Sequence, residues 1–335
     1  MPPPPAGASG GGPPAGGYRG AVTIGALFAG LCTFDLVQSV ARMPGANEKV
    51  TALRQAVAAG GPAANAAVTF ARLGGSATLV SAVGAHPLAA GIRADLAAEG
   101  VRLADVTPDD PEPPAISTIM VTRGSGDRAV VSVNAAHRRV RPPAELPALV
   151  AASRVVHLDG HHPGLALAAA RHARDAARPV VLDGGSWKPG TAELLPLVDV
   201  AVVSADFRPP GAPADVLAFL HAAGVRFAAV TAGPAPIRWR GERGTGQVPV
   251  PAVPVVDTLG AGDVLHGALT FALARALTGD HGPGCAPEGG PGGEVGGGLD
   301  DARFAAALEF AVPVAGAACA SFGTRAWTWP AGKVS

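Results

Sequence analysis

Short β-branched apolar runs alternate along this chain with longer Ala/Leu-rich stretches. Ala21–Leu27, Thr78–Val83, Val155–Leu158, Val180–Leu182, Val200–Val203 and Ala228–Thr231 read as buried strands. Ala63–Arg72, Ala89–Glu99, Gly164–Ala177, Ala214–Ala223, Ala261–Ala276 and Ala302–Ala320 read as helices. Strands that are apolar on both faces and separated by helices need crossover connections. The order therefore predicts an α/β fold with a mainly parallel sheet between two helical layers. Val37–Ala56 and Ala115–Val133 break the rhythm, because they are more polar and alternate like exposed strands. Ser117–Thr122, Arg123–Asp127 and Arg128–Val133 have the form of a hairpin. These pieces, about 31–56 and 113–135, are expected to form a small inserted β lid, the other reading being an edge extension of the main sheet.

Within that order, Asp257-Thr258-Leu259-Gly260-Ala261-Gly262-Asp263 is the segment that points to chemistry. Before it, Val248–Val256 is β-branched and punctuated by proline. After it, Leu265, Leu269, Leu273 and Leu277 recur at helical spacing. Two glycines and an alanine thus open a helix, whose first N–H groups have no internal partner and favour an anion. Asp263 sets a carboxylate beside that anion site, the arrangement that moving a phosphoryl group onto a hydroxyl requires. Read as residues alone, the segment is also a Gly-bearing turn capped by Asp263. A second helix start is Gly60-Gly61-Pro62-Ala63-Ala64-Asn65. Asn65 there carries donors and an acceptor, and Asp35 carries a carboxylate; each is equally a cap or turn residue.

Composition narrows the partners. The chain has 335 residues with 26 Lys+Arg against 26 Asp+Glu, a balance that argues against nucleic acid or an anionic membrane surface. No uninterrupted apolar run reaches the roughly 18 residues of a membrane span. Residues 1–20 are Pro/Gly-rich, lack the features of a signal peptide, and read as a disordered tail. Cys32, Cys285 and Cys319 form neither a disulfide framework nor a zinc spacing, so a reducing, cytoplasmic setting is expected. Lys49, Lys188 and Lys333 are the only lysines and no Walker A pattern occurs. Phosphate would then be held by backbone N–H groups, arginines and metal. Residues 279–298 are a low-complexity Gly-rich linker.

The heptapeptide 257–263 resembles the signature of the ribokinase-like (PfkB) carbohydrate kinases, and the resemblance runs from about Ala21 to about Thr324. It implies a ribokinase-like three-layer αβα sandwich over residues 21–330 and an ATP-dependent, Mg2+-assisted sugar kinase. By the resemblance, Asp263 is the base and the Gly260, Ala261 and Gly262 amides form the anion hole. Asp35, Gly60, Gly61 and Asn65 would hold the sugar. Thr231, Gly233, Asp257, Thr258, Gly260, Gly262, Gly316 and Cys319 would line the nucleotide side, and no side chain is assigned to a resident metal. Val255–Asp263, Val314–Gly316, Val156–Gly160 and Val203–Asp206 are most similar to the ketohexokinase-like branch, which makes a ketose such as fructose the first choice of substrate. Sugar acids, aldoses and nucleosides are accepted elsewhere in the family. A homodimer through the lid is compatible with the alternation of Ile119, Val121 and Val131.

The chain departs from its relatives at several positions. Ser204 and Phe207 stand where many have Asn and Glu, so metal use would rest on fewer side chains. His86, Pro62 and Pro236 also replace common residues, Pro236 next to the nucleotide-side turn. Two other classes fit parts of the sequence. One is a metal-dependent hydrolase built on His157, Asp159 and His161, which alternate along a strand. The other is a non-catalytic sugar or nucleotide sensor.

Overall fold

The computed structural model describes residues 24–134, 138–278 and 298–329. The tail at 1–20 and all but the last residue of the linker at 279–298 lie outside the described residues. The strands are β1 Gly25–Ala29, β2 Thr33–Val40, β3 Arg54–Gly60, β4 Ser76–Ser81, β5 Val101–Asp105, β6 Ile116–Thr122, β7 Arg128–Ser132, β8 Val155–Leu158, β9 Val180–Gly184, β10 Val200–Ser204, β11 Phe227–Ala232, β12 Ala235–Arg240 and β13 Thr245–Val248. The helices are α1 Pro62–Arg72, α2 Pro87–Ala98, α3 Leu146–Ala151, α4 Pro163–Asp175, α5 Thr191–Leu194, α6 Val216–Ala222, α7 Ala261–Ala276 and α8 Asp301–Cys319.

Nine strands make one sheet in the order β13-β12-β11-β10-β9-β8-β1-β4-β5. It is parallel from β11 to β5, and β12 and β13 close one edge antiparallel. Successive side chains of a strand face opposite sides, and both sides are buried here. Ala26 and Phe28 of β1 join the core beneath α1, α2, α7 and α8, whereas Leu27 and Ala29 join the core beneath α3, α4, α5 and α6. This explains the continuous apolar runs in the sequence. Strands β5, β12 and β13 and helices α3 and α5 were not anticipated. Arg102 and Asp105 in β5, and Arg238 and Arg240 in β12, dilute the apolar signal of edge strands. The Val248–Val256 approach belongs to a strand only at Val248.

The chain runs from β1 toward β4 and β5, then returns to β8 and proceeds to β11. The direction of winding reverses between β1 and β8, and the crevice at the carboxyl ends of those strands is where such sheets take ligands.

The lid is a separate four-stranded sheet, β3-β2-β6-β7. Strand β2 pairs antiparallel with β3 and parallel with β6, and β6 pairs antiparallel with β7. On its inner face, one cross-strand row is Ala58, Asp35, Ser117 and Ser132 and the next is Ala56, Val37, Ile119 and Val130. Ile119 and Val121 are buried against Phe322 and do not belong to an outer dimer face. The outer row is Val57, Leu36, Thr118 and Val131, of which Val131 is 71% exposed.

Helix α8 is long and apolar enough to cross a membrane by length and composition alone, a feature that counting uninterrupted apolar runs overlooks. Its Phe304, Leu308, Ala311 and Val314 are buried in the core, and Phe310 stacks on Phe271 of α7 at 6.2 Å.

Candidate active site

The site begins where α1 and α7 start side by side. Gly61 caps α1 at φ 92, and a side chain there would come within 2.5 Å of the Leu31 carbonyl. Pro62 supplies the first helical position, where no N–H is missed. One turn on, Asn65 is buried, and its Nδ2 donates to Asp263 Oδ2 at 2.8 Å.

Gly260 caps α7 at φ 72, in the left-handed region that glycine enters without cost. A Cβ on Gly260 would lie 2.9 Å from Thr324 Cγ2 and 3.7 Å from both Asn65 Nδ2 and Asp263 Oδ2. The backbone therefore comes as near the reactive groups as it can. Val264 N donates to the Gly260 carbonyl at 2.9 Å and opens the helical ladder, and Ala261 N reaches the Thr258 carbonyl at 3.3 Å. Among the described residues, the Gly260, Gly262 and Asp263 amides have no acceptor, and the space above Gly262 is open. This is an anion site of the helix-terminus kind.

Asp263 keeps part of its surface toward the crevice, yet the protein around it excludes enough water to raise its carboxyl to about 7. Burial is the main cause and the negative charge of Asp183 adds to it, while the Asn65 hydrogen bond and His266 oppose it. A carboxylate held near neutrality is suited to taking a proton.

Asp35 lies on the inner face of the lid, buried, with Oδ1 accepting from Thr33 Oγ1 at 2.5 Å. Its carboxylate occupies the space a Gly60 side chain would need. Burial raises its pKa, opposed by hydrogen bonds from Thr33 and Ser117. Asp35, Gly60, Gly61, Asn65 and Asp263 thus lie on contiguous pieces of backbone at the lid–sheet junction.

The residues expected on a nucleotide side split into two sets. Asp257 is buried with both oxygens occupied, Oδ1 by Leu259 N at 2.8 Å and Oδ2 by Gly323 N at 2.9 Å. Its carboxylate braces the loop and leaves only the backbone for a ligand. The Cys319 carbonyl accepts from Val256 N and Asp257 N, and Gly316 seats Val253 against α8. Thr258 takes a hydrogen bond from Arg128 of the lid at 2.6 Å, so Arg128 links lid to loop. Thr231 and Gly233 stand at the end of β11. Beside them a cavity of about 470 Å³ is lined by Ser204, Phe207, Val230, Ala232, Pro236 and Arg238. Val230 faces the α6 side of the sheet, so this cavity is across the sheet from Asp263.

Phe207 is buried against Trp187 and offers no oxygen, and Ser204 Oγ donates to the Gly185 carbonyl. Among the described residues, no group of three His, Cys, Asp or Glu converges as a metal cage. His157, Asp159 and His161 do not make one. His157 is enclosed beneath α7, with Nδ1 3.1 Å from Thr270 Oγ1, and burial lowers its pKa to about 4. Asp159 accepts from the amides of Leu31, Ala63 and His161. It ties the end of β8 to the β1 turn and to the start of α1.

Two contributors had no signal in sequence reasoning. His266, one turn into α7, has Nδ1 2.7 Å from the Gly262 carbonyl and Nε2 3.0 Å from the Val202 carbonyl, with Asp183 Oδ2 at 3.4 Å from Nδ1. It fastens the first turn of α7 to the sheet. Arg325 lies beyond α8 and reaches Asn65.

Residues 26–331 match the family described as pfkB family carbohydrate kinase. The chain is 28% identical over 258 residues to the ribokinase of Bacillus subtilis (strain 168), which covers 73% of this chain and 84% of that one. Among solved structures it is similar to ribokinase from Giardia lamblia, with a TM-score of 0.74, 18% identity and coverage of 90% and 95%. It is also similar to Arabidopsis thaliana ribokinase complexed with ribose and ATP, with a TM-score of 0.70, 21% identity and coverage of 92% and 96%.

Proposed function

Because the chain belongs to the pfkB family of carbohydrate kinases, phosphotransferases with an alcohol acceptor, we propose that it moves the γ-phosphoryl group of ATP to a hydroxyl of a small sugar, with Asp263 as base. The observation that carries this reading is the Asp263 carboxylate, held by Asn65 beside helix-start amides that have no acceptor among the described residues. The acceptor hydroxyl gives its proton to Asp263, its oxygen bonds to the γ-phosphorus, and the bond to the β-phosphate oxygen breaks to release ADP. Charge on the transferred group falls to the Gly260 and Gly262 amides, with Ala261 shared with Thr258. Asn65 fixes the Asp263 carboxylate, and the Asp35 row of the lid reads sugar hydroxyls. Lid closure shields the transfer from water.

Among the described residues the donor set does not form a metal cage of its own. Magnesium would come with the nucleotide substrate and would supply charge neutralisation there. Ser204 and Phe207 leave it few protein contacts.

A ketose such as fructose is the acceptor of first choice, and ribose joins it because the relatives named above are ribokinases. The outer lid row Val57, Leu36, Thr118 and Val131, with Val57 and Val131 exposed and Leu36 half-buried, is a strip that a second copy would cover. An ADP-release assay over ketoses, aldoses, a keto-deoxy acid and nucleosides tests the reading. ADP formed with a sugar supports it; sugar binding without ADP formation replaces it with a sensor.

A further inference from the structure

The strap after α8, Gly323-Thr324-Arg325, touches three separate parts of the site. Gly323 N holds Asp257, Thr324 lies under Gly260, and Arg325 Nη1 donates to Asn65 Oδ1 at 3.0 Å. Arg325 is itself anchored. Its Nε and Nη2 lie 3.1 and 3.0 Å from Asp95 Oδ2 of α2, and Nη2 donates to the Ala59 carbonyl at 2.6 Å. Glu99 lies 4.0 Å from Nε and is taken by Arg72.

An arginine can only donate and an ionised carboxylate can only accept. Asn65 stands between one of each, so its amide has a single allowed orientation: oxygen toward Arg325, nitrogen toward Asp263. Resting on the kinase reading above, we propose that Arg325 is a positioning residue that fixes the Asn65 amide and, through it, the Asp263 carboxylate. Without the guanidinium, the amide is free to turn its oxygen toward Asp263 and remove a hydrogen bond that favours the ionised base. The charged groups facing this relay are Asp95 of α2, Glu99 just after it, Arg72 of α1, Asp35 of the lid, Asp159 after β8, and Asp183 and His266 below Asp263.

The test is a cycle of Arg325→Met, Asn65→Ala and the double variant, with Arg325→Lys as the conservative change. The readouts are kcat, KM for ATP and sugar, and the acid limb of the pH–rate profile. Arg325→Met is expected to lower kcat roughly 10–100-fold and to move the acid limb to higher pH, with KM for ATP unchanged and partial recovery in Arg325→Lys. In the Asn65→Ala background, Arg325→Met adds no further loss. Losses that multiply in the double variant, or an unmoved acid limb, overturn the relay. A denaturation midpoint on each variant keeps loss of fold apart from loss of positioning. Absence of ADP release by the wild type with every sugar removes the kinase reading itself, a different outcome from an active enzyme indifferent to Arg325.

Discussion

Gly267 of α7 lies against the Ala66 carbonyl of α1, so close that a Cβ on Gly267 would stand 2.4 Å from that oxygen. This contact sets the spacing of the two helices whose first turns carry Asn65 and Asp263. Backbone cannot yield as a flexible side chain can, so Gly267→Ala must push the helices apart. We expect a midpoint lower by roughly 2–8 °C and turnover lower by about 10-fold or more, although residue 267 touches no substrate. Thermal unfolding and steady-state kinetics measured together check this.

The pH dependence follows from Asp263. Its carboxyl must be ionised to take a proton, so kcat/KM should fall as pH drops through about 7. Stability runs the other way. Since burial raises the folded-state pKa above the ordinary carboxylate value, ionising Asp263 costs stability as pH rises from about 4 through 7. Asp263→Asn removes that cost. The variant should melt above the wild type at pH 8.5, with the difference shrinking toward pH 4. Melting curves across that range check the sign.

The outer lid row offers a separate test. Val57→Lys with Val131→Lys places charges on the exposed strip, and buried like charges oppose pairing of two copies. We expect the wild type to run as a dimer on size exclusion with light scattering and the double variant to run as a monomer.

Much of the sheet was legible because parallel strands are buried on both faces and carry unbroken apolar runs. Helix α7 was read at Ala261–Ala276 because its periodicity starts at a glycine pair. The edge strands β5 and β12 were not legible, since Arg102, Arg238 and Arg240 face solvent there. In the site, Asp263, Asn65, Gly260 and Gly61 were visible because small residues at two helix starts have a local cause. Arg325 and His266 were not, because their roles come from contacts across the fold, over 260 residues of sequence in the first case. The alternation that put His157, Asp159 and His161 on one strand face gave no warning that amides would occupy Asp159.

In the proposed reaction, one carboxylate beside free helix amides removes the acceptor proton. The most direct measurement is ADP release by Asp263→Asn with saturating ATP and the preferred sugar, alongside ATP binding by calorimetry. We expect turnover lower by roughly 10²–10⁴-fold with ATP affinity little changed; turnover near that of the wild type would remove Asp263 from the role of base.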